Sequence, residues 1–133
     1  MSPTLIALTG FILWTLLLLV TMGLTRVRLV MTRQVPPNNG SPSMPFMQRL
    51  ARAHMNGIEG LPLFGGLMLV AVVSGHAEIT DPLAFVFLGA RLVQSVVHLM
   101  STSNRAVQLR FVAFLAQVLI GLWWAVRLLL ALA

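Results

Sequence analysis

The sequence predicts an all-α integral membrane protein, a four-helix bundle whose helices run up, down, up and down through one bilayer. Two observations carry that prediction. First, 58% of the 133 residues are hydrophobic and only 9% charged, with a mean hydropathy of +0.91, whereas a soluble domain is about 25% charged. Second, long apolar stretches alternate with three short polar breaks rich in Pro, Gly, Asn and Ser. A helix needs roughly 20 apolar residues to cross the hydrocarbon core, so four spans consume nearly the whole chain and leave no room for a soluble catalytic domain. The expected spans are 5–26, 48–74, 82–101 and 105–132, all in a single domain covering 1–133.

The first span is uncharged from Leu5 to Leu24. As a signal peptide it fits poorly: Met1-Ser2-Pro3-Thr4 has no positive charge, and no A-x-A-like site precedes Arg26 and Arg28. It reads as a retained helix. From Gln34 to Pro45 the chain turns to Pro, Asn, Gly and Ser around Pro36-Pro37-Asn38-Asn39-Gly40, a stretch that breaks helices and keeps its backbone in water. Leu61 to Val73 is too short to span alone, so the second helix must begin near Leu50. Ser74-Gly75-His76 through Asp81-Pro82 separates spans two and three, and Ser101-Thr102-Ser103-Asn104 separates three and four.

The net charge of +6 comes from nine arginines, no lysine and three carboxylates. The arginines lie around and inside apolar segments rather than on one solvated face, so no nucleic-acid partner is expected. With no cysteine there is no thiol nucleophile, disulfide or thiolate metal site. Arg26, Arg28, Arg33 and Arg49 flank the first loop and Arg105 and Arg110 the third, while the second carries Glu78 and Asp81. The positive-inside rule then puts loops one and three in the cytoplasm, with loop two and both termini outside. Trp123, Trp124 and Arg127 would approach the outer interface of the fourth span.

Starting the second helix near Leu50 draws Arg52, Asn56 and Glu59 into it. At 100° per residue, Arg49, Arg52, Asn56 and Glu59 fall at about 0°, 300°, 340° and 280°, a polar stripe that cannot face lipid. A charge at membrane depth costs about 2.5 to 3.5 kcal/mol and usually faces a bundle interior or cavity. Counting depth along antiparallel spans sets Glu59 level with Arg91, Asn56 with Gln94 and Ser95, and Arg52 with His98. Those partners form a matching stripe on the third span. Two readings follow. Glu59 and Arg91 form a buried ion pair that fixes helix register, or the arginines and the carboxylate hold a small ligand bearing carboxylates and an amine. Pro62, beside Gly57 and Gly60, should kink or open the helix next to Glu59. Ala53, Gly57 and Gly60 form a small-residue edge suited to close helix packing. His54, His76 and His98 lack ligand spacing, so no metal site is expected.

The run Arg49-Leu50-Ala51-Arg52-Ala53-His54-Met55-Asn56-Gly57-Ile58-Glu59-Gly60-Leu61-Pro62-Leu63-Phe64 closely resembles the second-helix signature of the MAPEG family, the membrane-associated proteins of eicosanoid and glutathione metabolism. That signature reads R-A-x-x-N-x-x-E followed by an apolar stretch containing Pro. The resemblance continues through Gly89-Ala90-Arg91 and Asn104-Arg105, and is nearest to the microsomal glutathione transferase branch and its bacterial relatives, which implies a bacterial inner membrane. It implies a homotrimer of four-helix subunits, with glutathione as co-substrate held between neighbours near the cytoplasmic face. Arg52, Asn56 and Glu59 match glutathione-contacting positions of the second helix, and Arg91 matches the arginine of the third. Arg105 matches the arginine held to stabilise the glutathione thiolate, the one catalytic assignment. Arg49, Gln94 and His98 join the substrate-binding set, as does Arg28, although the match to the basic end of the first helix is loose and falls on Arg26 or Arg28.

One departure stands out. Family members that conjugate or reduce lipophilic electrophiles place tyrosines along the third helix, and this chain has none. His98 and Gln94 lie at or near those places. The reading is therefore a glutathione-binding membrane protein, a transferase or peroxidase acting on a hydrophobic electrophile that enters from lipid. A non-catalytic scaffold of the same fold stays open beside it. A small four-helix cation exporter fits less well, because Leu5 to Leu24 lacks the carboxylate such transporters carry there.

Overall fold

A computed structural model describes residues 2–32, 45–100 and 103–133. The Pro- and Asn-rich stretch from Gln34, together with Arg33, Ser101 and Thr102, lies outside the described residues. The described residues are all helical apart from turns and helix ends, with four stretches long and apolar enough to cross a membrane.

Helix α1 (Pro3–Met31) starts where Ser2 caps it, accepting from the Leu5 amide, with Pro3 in the first turn, where a missing N–H costs nothing. Its buried residues Thr4, Ala7, Phe11, Thr15, Leu18 and Met22 recur every three or four positions. That is the narrow seam of a helix packed along one edge. The opposite side, including Leu13, Leu16, Leu17 and Val20, is exposed, which is tolerable in lipid and not in water.

The second span combines α2 (Pro45–Gly60), a π-helical turn (Leu61–Gly65) and α3 (Gly66–Val73). The opening expected at Pro62 thus takes the form of a wider turn. Proline has no N–H to give and its ring crowds the preceding turn, and one i→i+5 turn accommodates both while the helix continues. The span ends in a Schellman motif: Gly75 adopts φ +78°, the His76 amide donates to Ala71 at 2.8 Å, and the Gly75 amide donates to Val72 at 3.2 Å.

Helix α4 (Ala77–Met100) begins directly after this turn, so Asp81 and Pro82 lie inside the helix rather than ending a loop. Proline in the second turn forgoes one backbone bond. The Asp81 carboxylate is drawn instead to the start of α1, where Oδ1 accepts from the Thr4 amide at 3.1 Å, the Thr4 hydroxyl at 2.5 Å and the Ser2 hydroxyl at 3.3 Å. Helix α5 (Asn104–Leu132) is capped by Ser103, which accepts from the Ala106 amide at 3.2 Å.

Helix α4 is the hub, packing on α1, α2, α3 and α5, while α5 rests chiefly on α4. One core cluster gathers Phe11, Phe64, Met68, Phe87, Ile120 and Trp124 from all four spans, with the Phe87 ring 4.9 Å from Phe64 and 5.6 Å from Trp124. A second joins Leu18 and Met22 to Met47, Leu50 and Ala53. Among the described residues no comparable packing forms between α2 and α5, and Asn56, Glu59 and Arg91 line that gap.

Candidate functional site

The polar stripe of α2 opens onto this gap. Asn56, Glu59, Gly60, Leu63 and Phe64 form one wall of a cleft of about 210 Å³, with Arg91 of α4 and Phe114 and Val118 of α5 opposite. A second, wholly apolar hollow of about 250 Å³ continues from it past Leu67, Gly121, Leu122 and Ala125, sharing Leu63, Phe64 and Val118. The crevice is thus polar at one end and greasy along the rest, and it faces the side of the bundle.

Arg91 sits at the polar end and is 1% exposed. Its guanidinium lies over the Phe11 ring, 5.2 Å from the centroid, and none of its three nitrogens has a hydrogen-bond partner among the described residues. Glycine at position 60 makes room for it: a Cβ there would stand 2.6 Å from Arg91 Nη2. The small-residue edge of α2 therefore does more than admit a neighbouring helix. It seats a charge.

Glu59 shares the cleft with Arg91, as the depth count expected, yet is exposed and bonds to nothing among the described residues. The register-fixing ion pair is not formed. A buried guanidinium without counter-charge loses several kcal/mol of hydration, of which the Phe11 ring returns only part, and an exposed carboxylate stands across the same cleft. Such a pair of walls suits a ligand carrying both signs of charge.

Two turns from Glu59 and Arg91, Arg52 of α2 and Arg110 of α5 lie within electrostatic reach of His98 on α4, whose Nδ1 is buried without a partner among the described residues. Sequence reasoning read Arg110 only as a flank of the third loop. Four residues before Phe114, it falls on the cleft side of α5, and its Nε is buried and unpartnered. Arg105, nine residues before Phe114, is turned about 180° away by the same count and is exposed in the first turn of α5. Arg28 is exposed in the last turn of α1.

Two expected site residues are held by the fold itself. Arg49 donates from Nε to the Leu99 carbonyl at 2.8 Å, closing the C-terminus of α4, and lies over Phe46. Gln94 is buried and its Oε1 accepts from Gln117 Nε2 at 2.7 Å. Gln117 also donates to the Ala113 carbonyl at 3.1 Å and leaves its own Oε1 unpartnered. A lone Gln in an apolar helix gives no sequence signal of its role until the α4–α5 register is known.

The model of the MAPEG family matches residues 4–130 of the chain. No curated protein and no solved structure matches it.

Proposed function

Because the chain belongs to the MAPEG family, integral membrane proteins that include glutathione transferases and related enzymes, we propose that it binds glutathione in the Arg91–Glu59 cleft and turns its thiol on a lipophilic electrophile. The observation that carries this reading is the Arg91 guanidinium, buried with three unpartnered nitrogens opposite an exposed carboxylate. Glutathione offers two carboxylates, an ammonium and amides. Arg91 and Arg52 suit the carboxylates, because guanidinium pairs with carboxylate through two parallel bonds. Glu59 suits the ammonium and Asn56 an amide.

The apolar hollow beside the cleft supports an electrophile that arrives from the bilayer, and self-association into a homotrimer would close the crevice from the side. For the chemistry, a thiol pKa near about 8.5 leaves little thiolate at neutral pH, and a fixed cation in a partly dry site raises that fraction. Resemblance points to Arg105 for this role, while Arg110 lies on the cleft side of α5. Conjugation and peroxide reduction share the same activated thiolate. The absence of tyrosine, with His98 buried in the polar layer instead, favours a second reading in which glutathione is bound but not turned over.

Titrating the detergent-solubilised protein with glutathione tests both. Saturable binding with new thiolate absorbance in the ultraviolet at neutral pH is the expected result. Arg105→Ala and Arg110→Ala, run in parallel, identify the cation that sustains the absorbance. Binding without thiolate or turnover would select the non-catalytic reading, and absence of binding would end the glutathione assignment.

A further inference from the structure

At the other end of the bundle, far from the Arg52–His98–Arg110 level, a separate cleft of about 340 Å³ lies between the start of α4 and the end of α5, lined by His76, Glu78, Ile79, Arg127, Leu130 and Ala131. Its volume falls within the about 300 to 1,000 Å³ of small-molecule sites. The walls carry opposite charges, Glu78 on α4 and Arg127 on α5, both exposed. They face one cleft without forming an ion pair. Arg127 is steadied by stacking on Trp123, 5.3 Å from the ring centroid, and His76 Nδ1 pairs with Ser74 Oγ at 3.2 Å while Nε2 has no partner among the described residues.

We infer that the His76–Glu78–Arg127 cleft is a binding site for the headgroup of a zwitterionic phospholipid bearing a primary ammonium. Three features select this occupant. A simple anion meets Glu78 and a simple cation meets Arg127, whereas a phosphate joined to an ammonium satisfies both walls at once. The phosphate pairs with Arg127, where guanidinium geometry is favourable, and the His76 ring nitrogen supplies a second contact. The ammonium donates to Glu78, which a quaternary choline cannot do. The remaining lining is apolar and runs into the exposed Leu129 and Leu130, a surface on which acyl chains would lie. Helix ends with Trp and Arg are where a spanning bundle meets headgroups, which puts such a ligand within reach of the site.

Native mass spectrometry of the intact detergent-solubilised protein, loaded with equimolar phosphatidylethanolamine, phosphatidylcholine and phosphatidylglycerol of identical acyl chains, tests the site. The expected result is preferential retention of phosphatidylethanolamine, on the order of tenfold, as one charge-assisted hydrogen bond contributes. Glu78→Gln should erase the preference, because the ammonium contact is what tells the three lipids apart, whereas Arg127→Gln should lower retention of all three, which share the phosphate, and Arg127→Lys, which keeps the charge, should restore most of it. Equal retention of the three lipids by the wild-type protein, a preference that survives Glu78→Gln, or undiminished retention in Arg127→Gln overturns the proposal.

Discussion

Arg91 and Gly60 act as one unit. The glycine's missing side chain is the space in which the guanidinium tip rests, and the buried charge is tolerable if a ligand's carboxylate completes it. Gly60→Ala separates this role from ordinary packing. The atom a new Cβ would meet is the mobile end of a long side chain, and alanine is the better helix former by about 1 kcal/mol. Thermal stability in detergent should therefore be unchanged or raised. Glutathione affinity, read by calorimetry, should fall about tenfold, because displacing one charge-assisted contact costs about 1.5 to 3 kcal/mol. A loss of stability with intact affinity would show the cradle to be structural only.

Among the elements, the π turn at Leu61–Gly65 decides how the second span meets α5. It brings the Phe64 ring against Gly121, where a Cβ would lie 2.7 Å from Phe64 Cε1. Unlike Arg91, that ring is packed in the main core against Phe87 and has little freedom to yield. Gly121→Ala should lower stability by about 1 to 3 kcal/mol through overpacking, seen as a reduced thermal midpoint, and adding Phe64→Leu should return part of the loss. Full stability in the single variant would mean that the π turn and α5 are not in this register.

The polar stripe of α2 was legible because helical periodicity alone confines Arg52, Asn56 and Glu59 to one side of a helix that lipid must surround. The level of Arg91 followed from antiparallel counting, and the opening at Pro62 from proline's missing N–H beside Gly57 and Gly60. What sequence could not supply was tertiary choice. Asp81-Pro82 carries the chemistry of a turn, and only the nearby start of α1 reveals that the carboxylate serves Thr4 while the helix runs on. Gln117 and Arg110 likewise gain meaning from the α4–α5 contact. The Glu59–Arg91 ion pair failed for a related reason: equal depth does not fix the direction in which two side chains point.

At the scale of the molecule, charge asymmetry predicts an orientation, and the cysteine-free chain makes it directly testable. Single cysteines at positions 39 and 78 should respond oppositely to an impermeant thiol reagent applied to intact cells, with only Glu78→Cys labelled. Labelling of Asn39→Cys instead would invert the topology expected from the arginine-rich first and third loops.

The open α2–α5 crevice bears on assembly. In one subunit it has two walls and a floor: α2 with its π turn, α5, and Arg91 of α4. The third side is left to lipid or to another chain. Lipid serves poorly there, because Glu59 and Arg52 are exposed on this side and a charge facing hydrocarbon costs about 2.5 to 3.5 kcal/mol even with snorkelling. A second copy whose own polar stripe meets the same crevice removes that cost, and repeating the contact around an axis closes a ring. Three copies of the 14.5 kDa chain are expected, as the family resemblance implies. Light scattering of the detergent-solubilised complex, corrected for bound detergent, should give that mass, and Glu59→Leu should not disperse it, since burial against a neighbour tolerates an apolar residue. A monomer would leave the stripe facing lipid and remove the trimer from the proposal, while a trimer that binds no glutathione would keep the assembly and discard the ligand.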